Sequence, residues 1–177
     1  MKNLFGVLIL LSITLIGFSS NSAHAQHVNK GAMMLGGGLS FTSVENENAK
    51  NSTSLTVAPG FAYFVANNFA LGLEVEYTRN KSPNFTTTRL GLGPLARGYI
   101  TGGLFGQAQY MWGERKVDYT SSQSKTSGSR FILGAGYTVF LNNSIALEPM
   151  LFYSFESDDN VFGLRVGIQA FLGRHSL

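Results

Sequence analysis

Cysteine is absent from all 177 residues. That excludes a disulfide framework and a lipid-modified N-terminal cysteine. Charge is scarce as well: acidic and basic residues make up 13% of the chain beside 21 glycines, against about a quarter charged in ordinary soluble domains. A soluble all-β exterior of this size would carry more. No Lys/Arg cluster lies along one element, so the electrostatic footprint of a nucleic-acid binder is missing. The one long apolar run, Leu4 to Phe18, falls short of the roughly 20 residues a membrane helix requires. It follows Lys2 and leads through polar residues to Ala23-His24-Ala25, the anatomy of a secretory signal peptide cleaved after Ala25. The expected organisation is therefore a signal peptide over 1–25 and a single domain over 26–177. Without Lys2, twelve basic residues face ten acidic ones.

What is present is alternation. From Phe69 to Thr78, large apolar residues (Phe69, Leu71, Leu73, Val75, Tyr77) alternate with small or acidic ones (Ala70, Gly72, Glu74, Glu76, Thr78). A period of two puts the two sets on opposite faces of a β-strand. Eight segments read this way, over 31–44, 54–65, 69–79, 86–99, 103–116, 129–141, 145–156 and 161–172. None has a helical period. The connections "ANN", "IT" with glycine, and "NNS" are tight hairpin turns. Those over 45–52, 80–85, 117–128 and 157–160 are polar and mostly longer. "GFAYFVANNFALGLEVEY" (60–77) aligns without gaps on "GYTVFLNNSIALEPMLFY" (136–153), sharing Gly60/Gly136, Phe64/Phe140, Asn67/Asn143, Ala70/Ala146, Leu71/Leu147 and Tyr77/Tyr153. The offset of 76 residues is half of the domain and places equivalent turns at one end. The fold class expected is all-β: an eight-stranded antiparallel up-and-down transmembrane barrel.

Two orientations of the faces are open, a soluble lipocalin-like barrel with the apolar set inside or a membrane barrel with it outside. The polar face decides for lipid outside. It holds Gly72, Gly91, Gly93, Gly134, Gly136, Gly163, Gly167, Ala62, Ser40, Gln107 and Gln109, too small and too weakly charged for a soluble exterior. The apolar face carries Tyr77, Tyr110, Trp112, Tyr153 and Phe155 near strand ends, where an aromatic girdle meets the membrane interface. By parity, Glu74, Glu76, Glu148 and Glu156 point into the lumen with Arg89, Arg97, Arg115, Arg130 and Arg165. Sequential neighbours suggest that Glu74 and Glu76 meet Arg89 or Arg97, and that Glu148 meets Arg165. Unpaired charge in a narrow lumen is costly, so these groups are expected to pair and fill the barrel. An ion or proton path through them is the competing reading. Pro59, Pro94 and Pro149 fall inside strands, and bulges or ladder breaks are expected there.

With signal peptide, strands, Asn turns and charged lumen in place, the chain resembles the small bacterial outer-membrane β-barrel proteins, the porin-family and outer membrane protein A- and X-like barrels. "VAPGFAYFVANNFALGLEVEY", echoed by "GYTVFLNNSIALEP", looks like their recurrent second hairpin. The resemblance spans nearly all of 31–172. It implies an outer-membrane location, a monomer, and as partners the outer-membrane lipids, the barrel assembly machinery and periplasmic chaperones. Members of this family usually end on a terminal aromatic that the assembly machinery reads, whereas here Phe171 is followed by "LGRHSL".

No cofactor, metal or catalytic set emerges, and the chain reads as no enzyme. His27 and His175 lie beside the ends, and His175-Ser176 has no acidic residue placed to orient the ring. "LGGG" and "GLGPLARG" open no helix and lack Gly-Lys-Ser/Thr. Asp158-Asp159-Asn160 lacks the wider pattern of a calcium loop. The reading is a structural or surface-interaction protein, with loop 117–128 and its Tyr119 as the place for an extracellular ligand. The alternatives are a narrow porin-like channel and a soluble ligand-binding barrel.

Overall fold

The computed structural model describes residues 28–46, 49–82, 85–100, 102–119, 123–156 and 160–173, with side chains left aside at 41–46, 49–52 and 119. The signal-peptide reading over 1–25, His27, His175 and Asp158-Asp159 lie outside them. The strands are β1 (Met33–Asn46), β2 (Ala49–Ala66), β3 (Phe69–Lys81), β4 (Phe85–Tyr99), β5 (Leu104–Tyr119), β6 (Gln123–Tyr137), β7 (Val139–Phe140), β8 (Ile145–Glu156) and β9 (Asn160–Leu172). β6 and β7 form one stave interrupted at Thr138. Every pairing is antiparallel; β1 pairs with β9 and β6 with β8, so the sheet closes into an eight-staved barrel. A closed barrel leaves no wall edge unpaired.

The turns explain themselves locally. Asn68 takes φ 62°, a left-handed conformation that asparagine tolerates, and makes the two-residue β2–β3 turn. Asn142 Oδ1 accepts from the Ser144 and Ile145 amides at 2.9 and 2.8 Å and closes the β7–β8 turn. These turns, Gly102-Gly103 and the N-terminal residues from Val28 gather at one end.

The side-chain parity is that of a membrane barrel. Leu35, Leu39, Leu73, Leu90, Leu92 and Ile168 are more than half exposed on the outside, whereas Glu74, Glu76, Arg97, Glu148 and Arg165 are buried within. Each in-strand proline faces outward and interrupts the ladder on one side only. Val57↔Tyr77 resumes at Gly60↔Glu74 beside Pro59, and Leu92↔Trp112 at Leu95↔Gln109 beside Pro94. Beside Pro149, Gly136↔Met150 gives way to Val139↔Leu147. On their other sides the prolines pair with Gly37, Leu73 and Val166. An antiparallel residue directs its N–H to one neighbour, so the missing donor costs one side and the register survives. The expected irregularity is thus a break rather than a bulge. Register shifts occur instead at Val44/Asn46 and Phe64/Ala66.

One segment departs from expectation. Much of the loop read over 117–128 is ladder: Val117 pairs with Ser124, Asp118 with Gln123, and pairing runs on through Glu114↔Ser127. β6 is exposed on both faces from Gln123 to Ser129, so this hairpin projects beyond the rim. Cross-strand pairing begun in the wall simply continues outward. The loop read over 45–52 is likewise paired at Asn46↔Ala49 and Val44↔Ser52.

Candidate functional site in the lumen

The lumen is layered along its axis. At the turn end, Val28, Ala32, Met34, Phe64, Ala70 and Phe171 form a buried apolar cluster against Tyr99 and Phe140. Phe171 is 1% exposed, with ring centroids 6.3 Å from Phe64 and 5.1 Å from Phe140. Phe64 and Phe140 are equivalent positions of the internal echo, and both pack on this one aromatic. The Val28 amide donates to Asn68 Oδ1 at 3.2 Å and Asn68 N–H to the Val28 carbonyl at 2.9 Å, folding the N-terminal residues beneath the cluster.

Above it Arg97 reaches Glu148 at 2.5 Å, donates to Gln107 Oε1 at 2.9 and 2.6 Å, and sits 4.2 Å over the Phe105 ring. Glu148 also accepts from Thr138 at 2.7 Å and Tyr99 at 3.3 Å. At mid-wall Arg165 bridges Glu74 and Glu76, each at 2.9 Å. Gln109 donates to Glu74 at 2.9 Å, Thr78 to Glu76 at 3.0 Å, and Arg130 completes the shell of Glu76. Toward the rim Arg89 holds Glu156 through two bonds of 3.0 and 2.7 Å. The guanidinium fork suits such two-point grips.

The partners differ from those suggested by strand adjacency. Glu74 and Glu76 take Arg165 and Arg130 rather than Arg89 or Arg97, and Glu148 takes Arg97 rather than Arg165. The ladder shows why. Beside Glu74 and Glu76 on β4 stand Gly93 and Gly91, while Arg97 lies opposite Ala70 and Arg89 opposite Thr78. An eight-stranded lumen is narrow enough for arginine to cross it. Glycines clear the way: a Cβ at Gly38 would lie 2.4 Å from Arg165 Cδ, and one at Gly36 2.3 Å from Gln169 Oε1. Arg115, the remaining arginine of the set, lies exposed at the rim and makes no ion pair among the described residues.

Tyr77, Tyr110, Trp112, Tyr153 and Phe155 all face outward. Tyr110 pairs across the wall with Phe131, and Phe131 with Phe155; Tyr110 and Trp112 meet edge-on at 4.8 Å, Tyr153 and Phe155 at 4.7 Å. Tyr63, Phe69 and Tyr137 are half-exposed outside at the turn end; Phe69 was expected on the outer face, but the sequence did not group the three as a second aromatic set although their odd-numbered parity marks them. Tyr99, Thr138 and the base cluster were also missed; parity carried two residues beyond Arg97 and Gln169 leads to Tyr99 and Phe171. Among the described residues no three potential ligands group to hold a metal.

No family model matches the sequence, and no curated protein matches it. Solved structures match the fold. Ail, the attachment invasion locus protein of Yersinia pestis, superposes with TM-score 0.54 at 15% identity, covering 81% of this chain and 99% of Ail. The N-terminal β-barrel domain of Pseudomonas aeruginosa OprF gives 0.50 at 11%, covering 82% and 99%. Neisserial surface protein A gives 0.50 at 15%, covering 80% and 97%. With its closed antiparallel sheet, apolar exterior and charged interior, this chain has the eight-stranded transmembrane β-barrel fold of the small bacterial outer-membrane proteins.

Proposed function

We propose that the chain is a non-catalytic protein of the bacterial outer membrane, closed to solutes, with a structural role and a surface-interaction role carried by its loop-end hairpins. The filled lumen carries this reading: ion pairs span it from wall to wall over an apolar base. Both described ends and the tight turns face the periplasm, and the β5–β6 hairpin faces the exterior as the contact for an extracellular ligand. The outward aromatics Tyr77, Tyr110, Trp112, Tyr153 and Phe155 act as the outer interfacial girdle. Attachment stands in Ail's name; its likeness supplies a fold here and no ligand. Planar-bilayer recording on the refolded protein tests the proposal. Stable insertion without conductance steps is expected. Steady steps abolished by Glu74→Gln or Arg97→Met would make it a narrow channel instead, and a protein folded in buffer without detergent would overturn the membrane reading.

A further inference from the structure

The four inward carboxylates are all taken by Arg89, Arg97, Arg130 and Arg165. Among the described residues Arg115 is the lumen arginine without a carboxylate partner, and it borders a cavity of 190 Å³ at the loop end whose polar lining is Thr78, Asn80, Thr87, Arg89, Arg115 and Glu156. One water needs roughly 10–15 Å³, so the space is an order of magnitude larger. Both terminal nitrogens of Arg89 are committed to Glu156, leaving the floor locally neutral. Asn80 lines the same cavity, and its Oδ1 is buried without a hydrogen-bond partner, so no protein hydrogen bond commits that oxygen. Thr87 offers a hydroxyl from the same wall.

We propose that this vestibule binds one oxyanion group, a phosphate, sulfate or carboxylate, with Arg115 as the charge anchor and Asn80 and Thr87 as neutral donors. A cation would meet Arg115 unscreened, and an apolar ligand would leave the polar wall unpaired. A planar guanidinium with uncommitted N–H groups in a partly enclosed space matches the geometry of such an anion. The inference does not depend on whether the lumen conducts.

The test titrates inorganic phosphate, and separately sulfate, into the refolded full chain in a maltoside detergent, with chloride holding ionic strength constant. Calorimetry reads affinity and the Arg115 Nε–H resonance reads location. A saturable shift at Arg115 is expected, with at least tenfold weaker binding in Arg115→Gln and several-fold weaker in Asn80→Ala. Lys125→Gln, on the exposed hairpin, should bind as the parent does. Heat-modifiable gel mobility checks that each variant folds, and Arg115→Lys retains binding if charge is the anchor. Repeating the titration in nanodiscs of an uncharged glycolipid, with and without a phosphorylated glycolipid, separates the sources. Prior occupancy only with the phosphorylated lipid identifies a headgroup; equal titration in both identifies a free anion. No saturable shift at Arg115, or unchanged affinity in Arg115→Gln, overturns the proposal.

Discussion

At the scale of single residues, the lumen is held by charges that are valuable only in pairs. Arg97 and Glu148 are 5% and 2% exposed at 2.5 Å, so removing either strands the other in a poorly hydrated interior. Arg97→Met is expected to cost about 3–5 kcal/mol of folding free energy. The double variant Arg97→Met/Glu148→Leu should recover more than half of that loss, because no buried charge is then left alone. Urea unfolding of the four proteins in lipid vesicles measures the cycle; additive losses would mean that the pair is not a unit. The glycines belong to the same account. Gly38 leaves space for the Arg165 side chain and Gly36 for the close approach of the Ile168 carbonyl oxygen and Gln169, whereas a Cβ at outward-facing Gly106 would meet nothing within 4 Å.

At the scale of elements, the β5–β6 hairpin stands apart from the wall it grows from. Its tip is held by Gln123 donating to Asp118 at 2.5 Å, with Lys116 beside the carboxylate at 3.4 Å. The Gln123 hydrogen bond, helped by Lys116, holds the Asp118 carboxyl below its ordinary value. A depressed folded-state pKa stabilises pairing above the unfolded value and loses that contribution as pH falls through the folded one. Amide-exchange protection at the paired residues Val117, Asp118, Gln123 and Ser124 should therefore weaken on acidification below the carboxylate range, and Asp118→Asn should remove that dependence. Equal pH response in the variant would assign the effect elsewhere. The base is the counterpart at the other end, where residues from Val28 onward are tied to the Asn67-Asn68 turn and cover Phe171.

At the scale of the whole molecule, the decisive property is which face meets lipid. Leu73 is 55% exposed in mid-wall, next to inward Gly72 and Glu74. In a lipid-facing wall, Leu73→Arg should cost about 2–4 kcal/mol at the bilayer midplane, measured as folding equilibrium in vesicles. Unchanged stability there would place that face out of the bilayer. The three outward prolines are compatible with closure because each interrupts pairing with one neighbour while the other neighbour holds the strand.

The sequence by itself determined the strand count, the turn end, and the face on which Glu74, Arg97 or Trp112 would lie. Those properties follow from the two-residue pleat and from local turn chemistry, both of which act over a few residues. Only the tertiary structure decided who meets whom. Parity says that Glu76 and Arg165 both point inward; closure of the ring, strand stagger and the glycines in between bring them within 2.9 Å across 89 residues of chain. The same holds for Phe171, whose parity was legible but whose place against Phe64 and Phe140 depends on the closed ring. It holds too for Arg115, which reads in sequence as one more lumen arginine and stands in the barrel without a carboxylate partner among the described residues, because the four carboxylates are already taken by arginines that reach them across the lumen.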